Sequence, residues 1–239
     1  MEQQVDVTKI IQPGIEIGGI LLMEPVTVIT NLFISVMCFY AFWKMGKDKV
    51  EGNPLLFLRY YFLTMGLATT WGGFIGHGFL YLVDDRWKLG GWIISMLSVA
   101  LIERSAISYA NRLVSKKLGQ AFLLMNVIEL IILMALVVST VHFKFVEIHS
   151  AYGFIIVVFG FHLFVFWKTR DLGSLEMIYA TVSLLIAVYI FNAPVIIHTF
   201  FNHRDLAHLF MLIGAYFQYR SYLKLGQGVR NVDSSAASA

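Results

Sequence analysis

The chain has 239 residues, of which 58% are hydrophobic and only 14% charged, and its mean hydropathy is +0.73. A soluble globule of this size cannot hide so much apolar surface, whereas soluble domains carry about 25% charged residues. Continuous apolar runs exclude a β-barrel, whose strands alternate. The single cysteine, Cys38, excludes a disulfide scaffold.

In chain order, Met1–Lys9 is polar and has no basic stretch ahead of an apolar one, so it does not read as a cleaved signal peptide. Seven segments then approach the roughly 20 apolar residues that a bilayer span requires. They are placed near Leu22–Trp43, Leu55–Leu82, Gly90–Ala110, Leu118–Val141, Ser150–Trp167, Ser174–Ile196 and Asp205–Leu223. The expected fold is an all-α integral membrane protein, a seven-transmembrane-helix bundle. A short outer segment (1–21) precedes the helical domain (22–224), and a flexible tail (225–239) follows it. The tail Asp233–Ala239 is small and polar and is expected to be disordered.

Orientation follows from the basic residues. Lys9, Arg86, Lys88, Lys144 and Arg204 fall on one side, and the other thirteen of the eighteen lysines and arginines fall on the opposite side. The N-terminus is therefore expected outside and the C-terminus in the cytoplasm, in the plasma membrane or, in a bacterium, the inner membrane. The net charge of +3 belongs to cytoplasmic flanks and not to a nucleic-acid surface. The expected partners are membrane lipids and a lipid-like ligand; the oligomeric state is not readable.

This topology sorts the histidines. Six of seven (His77, His142, His149, His198, His203 and His208) fall toward the outer face, and His162 lies in the inner half. His142 and His149 sit in a polar connection and read as interface residues. His77 and His208 each lie about 7 Å below the outer end of their helices, and Glu24 opens the first helix on the same side. Ionisable groups in a span are costly, so their convergence suggests a site; a ligand-free hydrogen-bonded network is the alternative. Gly72 and Gly76 suggest a small-xxx-small face for close helix approach. Thr70 shares a face with His77 and either orients it or bonds back to its own helix. Asp205 and His208 are three apart and neighbours on one face, although Asp205 also suits a helix N-terminus. Deeper in the chain, Glu129 needs a partner, and Glu103 and Asn126 are further intramembrane polar groups. The aromatics read as lipid-facing or belt residues.

Three stretches together resemble a known family. Glu24-Pro-Val-Thr-Val-Ile-Thr-Asn31-Leu is similar to the helix-1 motif of alkaline ceramidases. Gly72-Gly73-Phe74-Ile75-Gly76-His77 is similar to their helix-2 stretch, and the run Asp205–Ala215 resembles the helix-7 motif of ceramidases and adiponectin-receptor-like proteins. Their order and placement resemble the CREST superfamily of seven-helix membrane proteins. The resemblance implies a zinc ion held by one helix-2 and two helix-7 histidines, with a zinc-bound water attacking a lipid amide or ester. Carried over, His77 and His208 would be ligands, His203 or Asp205 the third, and Glu24 and Asn31 supporting residues. Asp84 and Asp85 are the candidates for the catalytic acid that the family carries near helix 3. Gly73 stands where the family has serine, and Arg204 stands where it has the first helix-7 histidine. Zinc binding would require that Arg204 point away.

Three functions compete. The first is a zinc-dependent hydrolase acting near the outer face. The second is a non-catalytic sensor or scaffold binding a lipid, metal or protons at the same site. The third is a small transporter using Glu103, Asn126 and Glu129. A retinal protein is disfavoured, because no lysine for a Schiff base lies between His208 and Tyr222.

Overall fold

The computed structural model describes residues 12–48, 52–193 and 196–237 and is built almost entirely of helix; Met1–Lys9 lies outside them. A short hairpin of β1 (Ile15–Ile17) and β2 (Ile20–Leu22) turns at Gly18–Gly19, both at positive φ. Seven helices follow. They are α1 (Pro25–Lys47), α2 (Asn53–Trp71, continued by a π-helix over Gly72–Gly78), α3 (Lys88–Ala110) and α4 (Lys116–Thr140). Then come α5 (Lys144–Ala151, a π-helix over Tyr152–Phe159, then Gly160–Thr169), α6 (Leu172–Phe191) and α7 (His203–Ala237). A second two-stranded hairpin, β3 (Ile196–His198) with β4 (Phe201–Asn202), joins α6 to α7.

Local chemistry sets several boundaries. Pro25 begins α1, where its missing N–H costs nothing, and Lys44 and Lys47 occupy the last turn, where the helix dipole favours cations. Ser115 and Asp171 cap α4 and α6, accepting hydrogen bonds from Leu118 N (3.3 Å) and Ser174 N (2.7 Å). The expected start of the first segment at Leu22 falls on β2, because the chain must first leave the hairpin through Glu24. Where a disordered tail is expected, α7 continues past Leu223 and through Gly226 and Gly228 to Ala237. The fifth helix starts at Lys144 and not at Ser150, which draws His149 out of the connection and into the helix.

Side-chain contacts fix the directions of the helices. Between α1 and α2, Glu24 meets His77, Ser35 meets Thr69 and Phe42 meets Arg59, so the two run antiparallel. Between α1 and α7, Glu24 meets Arg204, Thr27 meets Asp205, Thr30 meets His208 and Tyr40 meets Tyr219, so these two run parallel. The main core lies among α1, α2, α3, α5, α6 and α7 and includes Phe62, Ile102, Val165, Met177 and Tyr222. Five helical stretches are long and apolar enough to cross a membrane: Pro25–Lys47, Asp85–Leu113, Lys116–Thr140, Lys144–Thr169 and Leu172–Phe191. Only 11% of the most apolar stretch of α4 is buried, so its side chains require an apolar surrounding other than the protein. The fold is an all-α membrane protein.

Candidate functional site at one end of the helices

Glu24 organises the site. It sits between β2 and Pro25 in a left-handed conformation, φ 42° and ψ 54°, which is costly for a residue with a side chain. The backbone is held there by Met23 N donating to Gly78 O (3.0 Å). Its carboxylate, 7% exposed, accepts a hydrogen bond from His77 Nδ1 and another from Arg204 Nη1 at 3.2 Å. One carboxylate thereby ties together α1, the π-helix that ends α2, and the first turn of α7. Glu24, and not Thr70, orients His77: the Thr70 hydroxyl donates back to Gly66 O at 2.7 Å, the commoner bond for a helical threonine.

Below it, α1 and α7 are joined by two polar rungs with matching three-residue spacing. Asp205, fully buried, accepts from Thr27 Oγ1 (2.7 Å), from Asn202 N (2.8 Å) and from Gln12 Nε2. Three donors satisfy the carboxylate and fix it as the brace of the α7 N-terminus. His208 Nδ1 lies 2.9 Å from Thr30 Oγ1 and 3.5 Å from Asn31 Nδ2; Asn31 itself donates to Thr27 O.

The candidate metal ligands are only partly brought together. The rings of His77 and His208 are near-perpendicular, with centroids 6.5 Å apart. Two imidazoles on one tetrahedral zinc, each about 2.0–2.1 Å from it, would have centroids roughly 5 Å apart. The His77 Nδ1 bond to Glu24 leaves Nε2 as that ring's available ligand atom, but the oxygens of Asp205 are engaged by its three donors. His203 is buried, its ring 6.4 Å from that of Phe191. Arg204 points into Glu24, so the condition that it face away from a dication is not met. As arranged, these residues do not fit a zinc ion.

Asp84 and Asp85 lie in the turn before α3. Asp84 caps Arg86 N (2.8 Å) and lines a surface cleft of ≈ 490 Å³ with Trp71, Arg86, Trp87 and Gly90. Asp85 pairs with Lys88 at 2.8 Å and is 78% exposed on its side chain. Each acid is thus engaged within its own turn. The close approach of α1 and α2 also differs from expectation. A Cβ at Gly72 or Gly76 would meet open space, whereas one at Gly73 would lie 3.1 Å from Asn31 Cβ, and one at Gly78 would lie 2.9 Å from Leu22 Cδ1. Gly73 stands at the point where the helices touch.

A second ionisable group joins Glu103, Asn126 and Glu129, which the sequence sets together, to His149, which it does not. His149, fully buried, meets both oxygens of Glu129 through Nδ1 (2.9 Å each), and its Nε2 faces Met96 O at 2.9 Å. This supplies the partner that Glu129 requires. Glu103 lies beside them, held by Asn126 Nδ2 at 2.9 Å. The signal available in the sequence was Glu129 itself, an intramembrane acid; His149 was hidden by the misplaced start of its helix.

Residues 26–227 match the profile of a family of unknown function, DUF6962. The chain belongs to that family. No curated protein and no solved structure matches it.

Proposed function

We propose that the chain is a seven-span membrane protein, N-terminus outside and C-terminus cytoplasmic, that works as a non-catalytic sensor or scaffold through the Glu24–His77–Arg204 site. All seven helices are long enough to span, successive contacts run in alternating directions, and the lysines and arginines are concentrated at one end.

The observation that carries the reading is Arg204 on Glu24 (3.2 Å). A guanidinium occupies the place where the resemblance puts a zinc ligand, and the positive charge balancing Glu24 comes from the protein itself. The ligand that best suits so filled a site is the smallest one, a proton. An imidazole can take up a second proton, and His77 is 24% exposed, within reach of water. Glu24, Arg204 and His208 face it, with Lys88 and Asp205 close to Glu24. Charging His77 places a second cation beside Arg204 on one carboxylate, and that change in charge acts on the packing of α2 against α1 and α7.

The test is hydrogen exchange across Gly72–Gly78, corrected for intrinsic rates, at pH 5 and pH 8. Protection is expected to differ between the two in the wild type and to be equal in His77→Gln. The same difference in the variant, or none in the wild type, overturns the reading.

A second reading, a zinc-dependent hydrolase of a lipid-like amide or ester, rests on the resemblance of the three sequence stretches and not on the geometry of the site. Stoichiometric zinc that disappears in a His77→Ala/His208→Ala variant would favour it over the first.

A further inference from the structure

The group on α3, α4 and α5 has no place in that reading, and it differs from the first site in its donor chemistry. Met96 lies about 12 Å and Glu103 about 22 Å along α3 from Lys88, so the group is deep among the helices. His149 Nε2 faces a backbone carbonyl, Met96 O, which can only accept; the proton is therefore on Nε2. Nδ1 faces the two carboxylate oxygens of Glu129, both at 2.9 Å, where either a second proton or a cation satisfies the three atoms. Glu103 is fully buried, and its Oε1 has no hydrogen-bond partner, while Oε2 accepts from Asn126. One ligand atom from each of Glu103, Glu129 and His149 lies within 4.8 Å of the other two. Glu103 Oε1 thus faces the group with no donor of its own, and two buried carboxylates share one imidazole, an arrangement that is costly to bury unless protons or a cation lie between.

Gly153 makes room for this convergence. It belongs to the π-helix of α5, and a Cβ there would lie 2.4 Å from Glu103 Oε1 and 2.5 Å from Val99 Cγ1. Any side chain at this position would push Glu103 away from the other two residues.

We propose that Glu103, Glu129 and His149 form a binding site for a divalent transition-metal ion. One imidazole and two carboxylates suit zinc, manganese, iron or cobalt, and two carboxylates neutralise a dication in apolar surroundings. The histidine has the outer bond typical of metal-ligating imidazoles, its far N–H fixed by a carbonyl. Donors about 2.1 Å from one tetrahedral ion are about 3.4 Å apart, so closing separations of up to 4.8 Å needs donor movements of up to about an ångström. Three protein ligands leave coordination positions open.

The experiment uses the full chain, purified in detergent, loaded with excess cobalt(II) and desalted. One equivalent of cobalt is expected in the wild type and in His77→Ala/His208→Ala. Glu103→Gln and Glu129→Gln, near-isosteric changes, are expected to weaken binding at least tenfold. X-ray absorption on the loaded wild type, which needs no variant to fold, should report one imidazole among oxygen ligands. Substoichiometric cobalt in the wild type means that protons close the group and overturns the proposal. So does binding indifferent to Glu103 and Glu129, binding that follows His77 and His208, or a first coordination sphere with no imidazole or more than one.

Discussion

Replacing Glu24 tests the structural basis of the site most directly. Its carboxylate accepts two charge-assisted hydrogen bonds while 7% exposed, from His77 (24% exposed) and Arg204 (17% exposed). Such bonds contribute about 1.5–3 kcal/mol each when partly buried, and removing one member of a buried pair costs about 3–5 kcal/mol. Glu24→Gln retains an acceptor oxygen but not the charge, so a loss of about 1.5–3 kcal/mol is expected. Glu24→Ala removes both bonds, and about 3–5 kcal/mol is expected. The assay is equilibrium unfolding in mixed micelles, run as a double-mutant cycle of Glu24→Gln with His77→Ala. A coupling of about 1–3 kcal/mol is expected, because the two side chains are in direct contact. Additivity within about 0.5 kcal/mol would mean that the His77–Glu24 contact couples nothing, and the account of Glu24 as the tie between α1 and α2 would fail.

Two further outcomes follow from the packing. Gly72→Ala and Gly76→Ala enter open space and should leave stability unchanged or raise it by up to about 1 kcal/mol, whereas Gly153→Ala should cost about 1–3 kcal/mol, because Val99 cannot swing aside as a flexible side chain would; equal effects in the same unfolding assay would contradict the contacts described. Asp205→Asn places an amide where three donors converge, and a loss of about 1–3 kcal/mol is expected together with faster hydrogen exchange at the Asn202 amide; an unchanged Asn202 amide would show that Asp205 does not brace the start of α7.

The helices were legible in the sequence because apolar run length carries the information directly, and seven runs became seven helices. Their ends were less legible. The Glu24 turn depends on a hairpin whose partner strand is three residues long, and the start of α5 depends on the packing of Phe143 on Trp92, a contact between distant parts of the chain. That second displacement concealed His149. In the candidate site, the convergence of Glu24, His77 and His208 could be read from depth alone, since all three lie near one end of their helices. The direction of Arg204 could not be read, because a residue in the first turn of a helix points inward or outward according to what it finds there. Here it finds Glu24. The glycines show the same limit: Gly72 and Gly76 have the spacing of a contact face, yet Gly73 and Gly78 make the contact.

That shift of the contact face has a geometric cause shared by both polar groups. On α2, Thr69, Gly73 and His77 face α1 at Ser35, Asn31 and Glu24. On α5, His149 and Gly153 face α3 at Met96 and Glu103, and Val157, four residues further on, is also buried. Both stripes advance by four residues per step. In an α-helix each such step drifts by about 40°, so the third member would have turned about 80° from the first. The π-helices over Gly72–Gly78 and Tyr152–Phe159 bond i to i+5 and turn less per residue, which keeps the four-residue stripe aligned. Without the first, His77 would rotate off Glu24; without the second, Gly153 would leave Glu103, and a residue with a side chain would take its place. The two irregular stretches therefore belong to the polar groups beside them: each gives up regular α-helical bonding and holds an ionisable cluster in register.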